Sequence, residues 1–249
     1  MQNRDMALAK ELFTRLKPET KLLLVGDSDQ LPSVGAGNVL RELMKCGQVP
    51  VTVLDLVFRQ EDTSRIALNA KAMKEDDTHL LWGDDFVFLE ADNAAQAADT
   101  VCEEYLREIA EKGVEQVQIL SPFKSRGEAC VKALNDRIRE QINPHEYNKP
   151  ELKCGTRVFR LGDRVLQTKN MGEISNGDVG FVTNVFIGED NDSTITVTFG
   201  DRSHEYATDE LDMLELAYAM TIHKSQGSEY DTVILPMMAS YHIKKGTQT

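Results

Sequence analysis

Residues 21–37 read KLLLVGDSDQLPSVGAG, and the fold class turns on how they are read. Leu22 to Val25 form a short apolar run without alternation, the pattern of a central parallel strand covered on both faces. Asp27, Asp29 and Gln30 then make an acidic, polar turn. Glycines with Pro32 and Ser33 form a loop before GNVLRELMKCG, which predicts a helix closed by Gly47. An open α/β sheet meets its ligands at the carboxyl ends of its strands, and in a phosphoryl-transfer site groups there feel the terminal phosphate. Gln30 both donates and accepts hydrogen bonds, so it can report whether a phosphate or a water lies beside it. On chemistry alone, an ordinary strand-to-helix loop with turn-forming Asp and Gly explains the same residues equally well.

Outward from this stretch the alternation continues. On its amino side DMALAKELFTRL places Met6, Ala9, Leu12, Phe13 and Leu16 on one helical face, and Pro18 stops it. On its carboxyl side VPVTVLDL, DFVFLEA and VQILSP predict strands. SRIALNAKAMK, AAQAADTVCEEYLREIAEKG and GEACVKALNDRIREQI predict helices between and after them. Repeated strand-helix alternation predicts an α/β protein with a parallel sheet. From about residue 155 to 212 the texture changes to short strand-like pieces separated by turn residues, including the Asn176-Gly177 hairpin signal. This predicts a small all-β insertion, because LELAYAMTIHKSQGSEYDTVILPM then returns to α/β texture.

The totals narrow the class. With 249 residues and 41% apolar content the chain can bury a sizeable core. No apolar run approaches the roughly 18 residues of a membrane span, and the N-terminal residues do not resemble a secretory signal, so a cytoplasmic setting without a membrane partner is expected. Cys46, Cys102, Cys130 and Cys154 are scattered, without zinc-ligand spacing, and no metal ligands are predicted. A net charge of −13 argues against broad adhesion to nucleic acid but leaves room for a local basic groove.

Three further segments carry chemistry. In VFRQ, Arg59 follows a predicted strand and offers a fork matched to phosphate oxygens, although Glu61 and Asp62 stand ready to pair with it. TIHKSQGSEYD, residues 221–231, gathers hydroxyls, an amide and a cation before Gly227 and Glu229. Such a turn suits a nucleic-acid backbone, and it also suits a polar helix end capped by glycine. Between Lys153 and Lys169, the residues Arg157, Arg160, Arg164 and Lys169 face the single acid Asp163. This is either a phosphate-backbone track with Phe159 as a stacking face, or a solvated strand edge.

Taken in order, these segments resemble the RecD-like superfamily 1 DNA helicases, the family of the exodeoxyribonuclease V alpha subunit. LLLVGDSDQLPSVGAGNVL looks like helicase motif III, FRQ like motif IV and TIHKSQGSEYD like motif V. The β insertion sits where that family carries an SH3-like module, called 2B. The resemblance implies a RecA-like parallel-sheet domain with an inserted SH3-like β-barrel, preceded by a partial RecA-like domain. Its boundaries would be 1–48 for the remnant of the first RecA-like domain, 49–153 and 213–249 for the two parts of the second, and 154–212 for the insertion. It implies that Gln30 senses the γ-phosphate on a turn shaped by Asp27 and Asp29, and that Arg59 approaches the same phosphate. Thr221, His223 and Lys224 would lie along DNA, while Gly227, Ser228 and Glu229 couple that contact to the nucleotide. The implied activity is ATP-dependent 5′–3′ translocation on single-stranded DNA in repair or recombination, with ATP and Mg²⁺ as cofactors of the intact enzyme. Other helicase segments or repair subunits are the implied partners.

The departures from the family pattern matter equally. No GxxxxGK(S/T) loop occurs in these residues. The family's metal-binding Asp-Glu box is expected just before Met1 and its final arginine motif beyond SYHIKKGTQT, so the sequence reads as a fragment expected to lack ATPase activity and tight nucleotide binding by itself. Two alternatives stand beside this: a non-catalytic single-stranded-DNA-binding module, and the helicase part of a conjugative relaxase.

Overall fold

Each helix expected from 3.6-residue periodicity forms, whereas the expected strands form only where neighbours exist to pair with them. The computed structural model describes residues 6–27, 37–54, 64–188 and 192–238. The chain divides into two compact units, Met1–Phe88 and Leu89–Thr249.

In the first unit α1 (Met6–Arg15), α2 (Val39–Lys45) and α3 (Arg65–Lys74) are helical. Asn38 caps α2 by accepting from the Arg41 amide at 3.2 Å. The buried Asn69 of α3 exchanges two 2.8 Å hydrogen bonds with the backbone of Leu81, and Asp85 accepts from the Arg65 amide at 2.7 Å. The strands expected at 21–27 and 85–91 do not form, and none forms over the described part, 49–54, of VPVTVLDL; among the described residues of this region an isolated bridge between Gly83 and Phe86 is the pairing seen. The physical reason is that an apolar run becomes a parallel strand only against a neighbouring ladder. Among the described residues of this unit no segment supplies one, which leaves Leu23 85% and Leu54 91% exposed.

The second unit begins with α4 (Ala94–Lys112), started by Asn93, whose side chain accepts from the amides of Ala95 and Gln96 at 3.0 Å. Its buried residues Ala98, Val101, Cys102 and Tyr105 follow helical spacing and pack on β1 (Val117–Ser121) together with α5 (Val131–Ile142). Leu134 and Ile138 of α5 are fully buried, each stabilising the fold by about 1.5–3 kcal/mol.

The chain then leaves the sheet. β2 (Glu151–Cys154) and β3 (Arg157–Arg160) form a hairpin. Then follow β4 (Arg164–Gln167), β5 (Val179–Phe186), β6 (Thr194–Phe199) and β7 (Arg202–Ala207), a 3₁₀ turn over Thr208–Met213, and β8 (Leu214–Leu216). The antiparallel order is β7-β6-β5-β4-β8, and a register shift between Val182 and Asn184 helps curl the sheet into a half-barrel. Ile195, Val197 and Phe199 alternate inward along β6 and meet Phe159, Val182, Tyr206 and Leu214. Gly180 lets β5 lie against β6: a Cβ there would sit 2.4 Å from the Thr198 carbonyl oxygen. Asn176-Gly177 does not make a two-residue hairpin. It lies in the Ser175–Asp178 turn of a longer connection, because Ile174 is drawn into the core and bridges Met171 first.

After β8 the chain returns through β9 (Ala219–Thr221) and later β10 (Thr232–Ile234). These flank β1 in the order β10-β1-β9, both parallel to it. Lys112 and Glu108 of α4 hydrogen-bond the Thr232 hydroxyl at 2.6 and 2.9 Å, fixing β10 to the helix.

Candidate nucleic-acid interface

Ser121 at the end of β1 lies opposite Thr221 at the end of β9, so both following loops leave from the same carboxyl edge of the sheet. After Thr221 the chain coils tightly. The amide of Lys224 donates to the Thr221 carbonyl at 2.9 Å and that of Ser228 to the Ser225 carbonyl at 3.0 Å, with Gly227 between them at φ +92°. A side chain at φ +92° would be strained, so glycine lets this coil close. The result gathers Thr221, His223, Lys224 and Ser228 in one turn, with His223, Ser228 and Glu229 exposed.

The same edge carries an ion triad that sequence reasoning missed. Lys124, from the loop after β1, places its Nζ 2.7 Å from Glu215 Oε1, and Lys224 places its Nζ 2.8 Å from Glu215 Oε2. Burial raises the Glu215 pKa, but the hydrogen bonds and charges of the two lysines together outweigh it and hold the carboxyl below its ordinary value. A small pocket beside the triad is lined by these three side chains and Thr221 over Leu166 and Met220. An acid inside the apolar strand LEL, just ahead of the polar turn, was the available signal.

Glu215 belongs to β8 of the half-barrel and the lysines to the parallel sheet, and a buried polar joint holds these two sheets together. The Asn135 side chain donates to the carbonyls of Leu216 and Ala219 at 3.2 and 2.9 Å and accepts from the Ala219 amide at 2.8 Å. Gln118 donates to the Tyr218 carbonyl at 3.1 Å. Tyr218 accepts from the Arg164 amide at 3.2 Å and donates to Asp163, which also accepts from Asn143 at 2.7 Å. Burial pushes the Asp163 carboxyl above its ordinary pKa despite these donors.

The expected basic track does not assemble. Arg164 is 2% exposed and donates to the Val117 carbonyl at 3.0 Å. Arg160 is also buried, bonded to Glu151 at 2.9 Å and Glu140 at 2.8 Å. Phe159 is 1% exposed and packs in the half-barrel core, so it offers no stacking face. Buried guanidinium groups committed to internal partners are not available to a phosphate. Arg157 donates to the Asp212 carbonyl at 3.0 Å and Lys169 pairs with the Asp212 carboxylate at 2.8 Å, both at the exposed margin. Of the expected nucleotide-facing residues, Asp29, Gln30 and Arg59 lie outside the described residues, and Asp27 is exposed in the first unit. Among the described residues no group of three His, Cys, Asp or Glu side chains is placed to hold a metal ion, and no helix is long and apolar enough to cross a membrane.

A RecA-like parallel sheet interrupted by an SH3-like half-barrel, with a donor-rich turn on the sheet's carboxyl edge, is the architecture that the sequence led one to expect. A family model described as the ATP-dependent RecD-like DNA helicase SH3 domain matches residues 134–199. An AAA domain matches residues 2–100, and a UvrD-like helicase C-terminal domain matches residues 216–245. The ATP-dependent RecD2 DNA helicase of Deinococcus radiodurans is 33% identical over 92% of this chain and 30% of its own length. The RecBCD enzyme subunit RecD of Mycolicibacterium smegmatis is 30% identical over 93% of this chain and 43% of its own length. The conjugal transfer protein TraA of Rhizobium radiobacter is 24% identical over 94% and 22%. The chain belongs to the RecD-like superfamily 1 DNA helicases, and it spans less than half the length of each of these relatives.

Proposed function

We propose that the chain is part of an ATP-dependent 5′–3′ DNA helicase that translocates on single-stranded DNA in the cytoplasm during repair or recombination. The observation that carries this reading is the turn after β9, which collects Thr221, His223, Lys224 and Ser228 at the carboxyl edge of the parallel sheet. Hydroxyl, imidazole and ammonium donors on one turn match successive phosphate and sugar oxygens without selecting a base. Gly227 and Glu229, at the end of the same turn, would relay the DNA contact toward nucleotide.

ATP would supply the driving free energy by phosphoryl transfer, with Mg²⁺ held by other segments. Gln30 and Arg59 would meet its terminal phosphate, and Asp27 and Asp29 would shape the turn that carries Gln30. No phosphate-gripping GxxxxGK(S/T) loop is present in these residues, so this chain by itself should neither bind ATP tightly nor hydrolyse it. Further helicase segments or repair subunits are the partners that would complete the engine.

The test pairs fluorescence anisotropy on labelled oligo(dT) with ATP hydrolysis at saturating oligonucleotide. The expected result is salt-sensitive binding without turnover. Failure of the folded chain to bind oligo(dT) would refute the DNA reading. Turnover that disappears in Gln30→Ala and Arg59→Ala would instead refute the expectation of inactivity.

A further inference from the structure

The DNA reading above leaves Glu215 unexplained, because an acid in the middle of a phosphate path opposes the charge it should meet. Its geometry supplies an account. One lysine sits on each carboxylate oxygen, at 2.7 and 2.8 Å, which is how two ammonium groups would share the two anionic oxygens of a phosphodiester. The lysines extend from adjacent parallel strand ends, whereas the carboxylate reaches them from the half-barrel strand β8. The Lys124 side chain is 63% exposed and can turn to another anion without opening the core, while Glu215 is 21% exposed and anchored in its strand. Arg160 and Arg164, by contrast, are themselves buried and committed to internal partners.

Resting on the proposed function, we propose that Lys124 and Lys224 form a single-phosphate site on the DNA-backbone path, and that Glu215 occupies it as a built-in competitor when DNA is absent. A backbone phosphate then has to displace the carboxylate from both lysines. The affinity of this step stays low, and the chain releases one phosphate readily as it takes the next. Displacement also frees Glu215 to gather a counterion, which cancels part of the counterion release that drives binding.

The experiment measures oligo(dT) affinity of the full chain across a salt series by anisotropy, for wild type, Glu215→Gln and Lys124→Met, with circular dichroism verifying the fold. Glu215→Gln keeps the shape and removes the competing charge. It should bind about tenfold more tightly at moderate salt, the order expected for one charge-assisted contact. Its slope of log affinity against log salt should steepen by about 0.7. Lys124→Met should weaken binding severalfold, and Glu215→Ala takes over the test of the competitor, with the same expected tightening, if Glu215→Gln does not fold. Unchanged or weaker binding by a folded Glu215→Gln overturns the competitor, and unchanged binding by Lys124→Met overturns the site, while wild-type binding in either case leaves the DNA reading standing. If no folded variant binds oligo(dT), the DNA reading fails and the competitor fails with it.

Discussion

Replacing Asn135 by alanine should destabilise the second unit more than a single polar truncation on a surface helix would. The side chain is 5% exposed and satisfies both the amide and the carbonyl of Ala219 and the carbonyl of Leu216. Alanine leaves the Ala219 amide buried without its acceptor, which costs about 1–3 kcal/mol. The carbonyls lose donors as well, at a smaller cost because an oxygen has two lone pairs and can share a neighbouring donor. The sum is about 3 kcal/mol, which for a unit of this size lowers the melting temperature by roughly 6–12 °C. Urea unfolding followed by circular dichroism reads the free energy, and differential scanning fluorimetry reads the temperature. A midpoint equivalent to less than about 1 kcal/mol of destabilisation would refute the reasoning, because it would mean that the joint is not held by this amide.

Gly180→Ala should be worse than an ordinary strand substitution, since its Cβ would lie 2.4 Å from the Thr198 carbonyl oxygen; a loss of about 2–4 kcal/mol by urea titration is expected, and near-neutrality would contradict the close strand approach. Glu108 has its pKa lowered to about 2, first by the hydrogen bond from Lys112 and then by that from Thr232. A depressed carboxylate contributes stability that is present above its unfolded pKa, about 4.3, and lost as pH falls through the folded value. The stability difference between wild type and Glu108→Gln should therefore shrink between about pH 4.5 and pH 2. Parallel urea curves at pH 7, 4 and 3 measure it, and a difference independent of pH would refute the assignment.

Much of the second unit was legible because its signals are local. AAQAADTVCEEYLREIAEKG and GEACVKALNDRIREQI announced α4 and α5, and the short strand-like pieces between turn residues announced the strands of the insertion. Strand formation in the first unit was not legible, because Leu22 to Val25 specify an apolar run but not the neighbours that would pair with it. The polar turn after β9 was found from its density of donors. Arg160 and Arg164 misled because charge composition says nothing of direction: the β2-β3 hairpin sets Arg160 on Glu151 and Glu140, and β4 turns Arg164 inward onto the Val117 carbonyl. The contact between Glu215 and Lys124 was hidden for the complementary reason. Lys124 lies 91 residues away from it in sequence, and only the return of the chain through β8 brings them together.

Ala217 and Tyr218 alone separate β8 from β9. Two residues reach at most about 7 Å, so the half-barrel has no tether on which to swing. Turning it would twist β9 and the donors that follow, as a crank turns its shaft. Lengthening this link by a few glycines would slacken the crank and leave the coupling of the two parts to the buried polar joint.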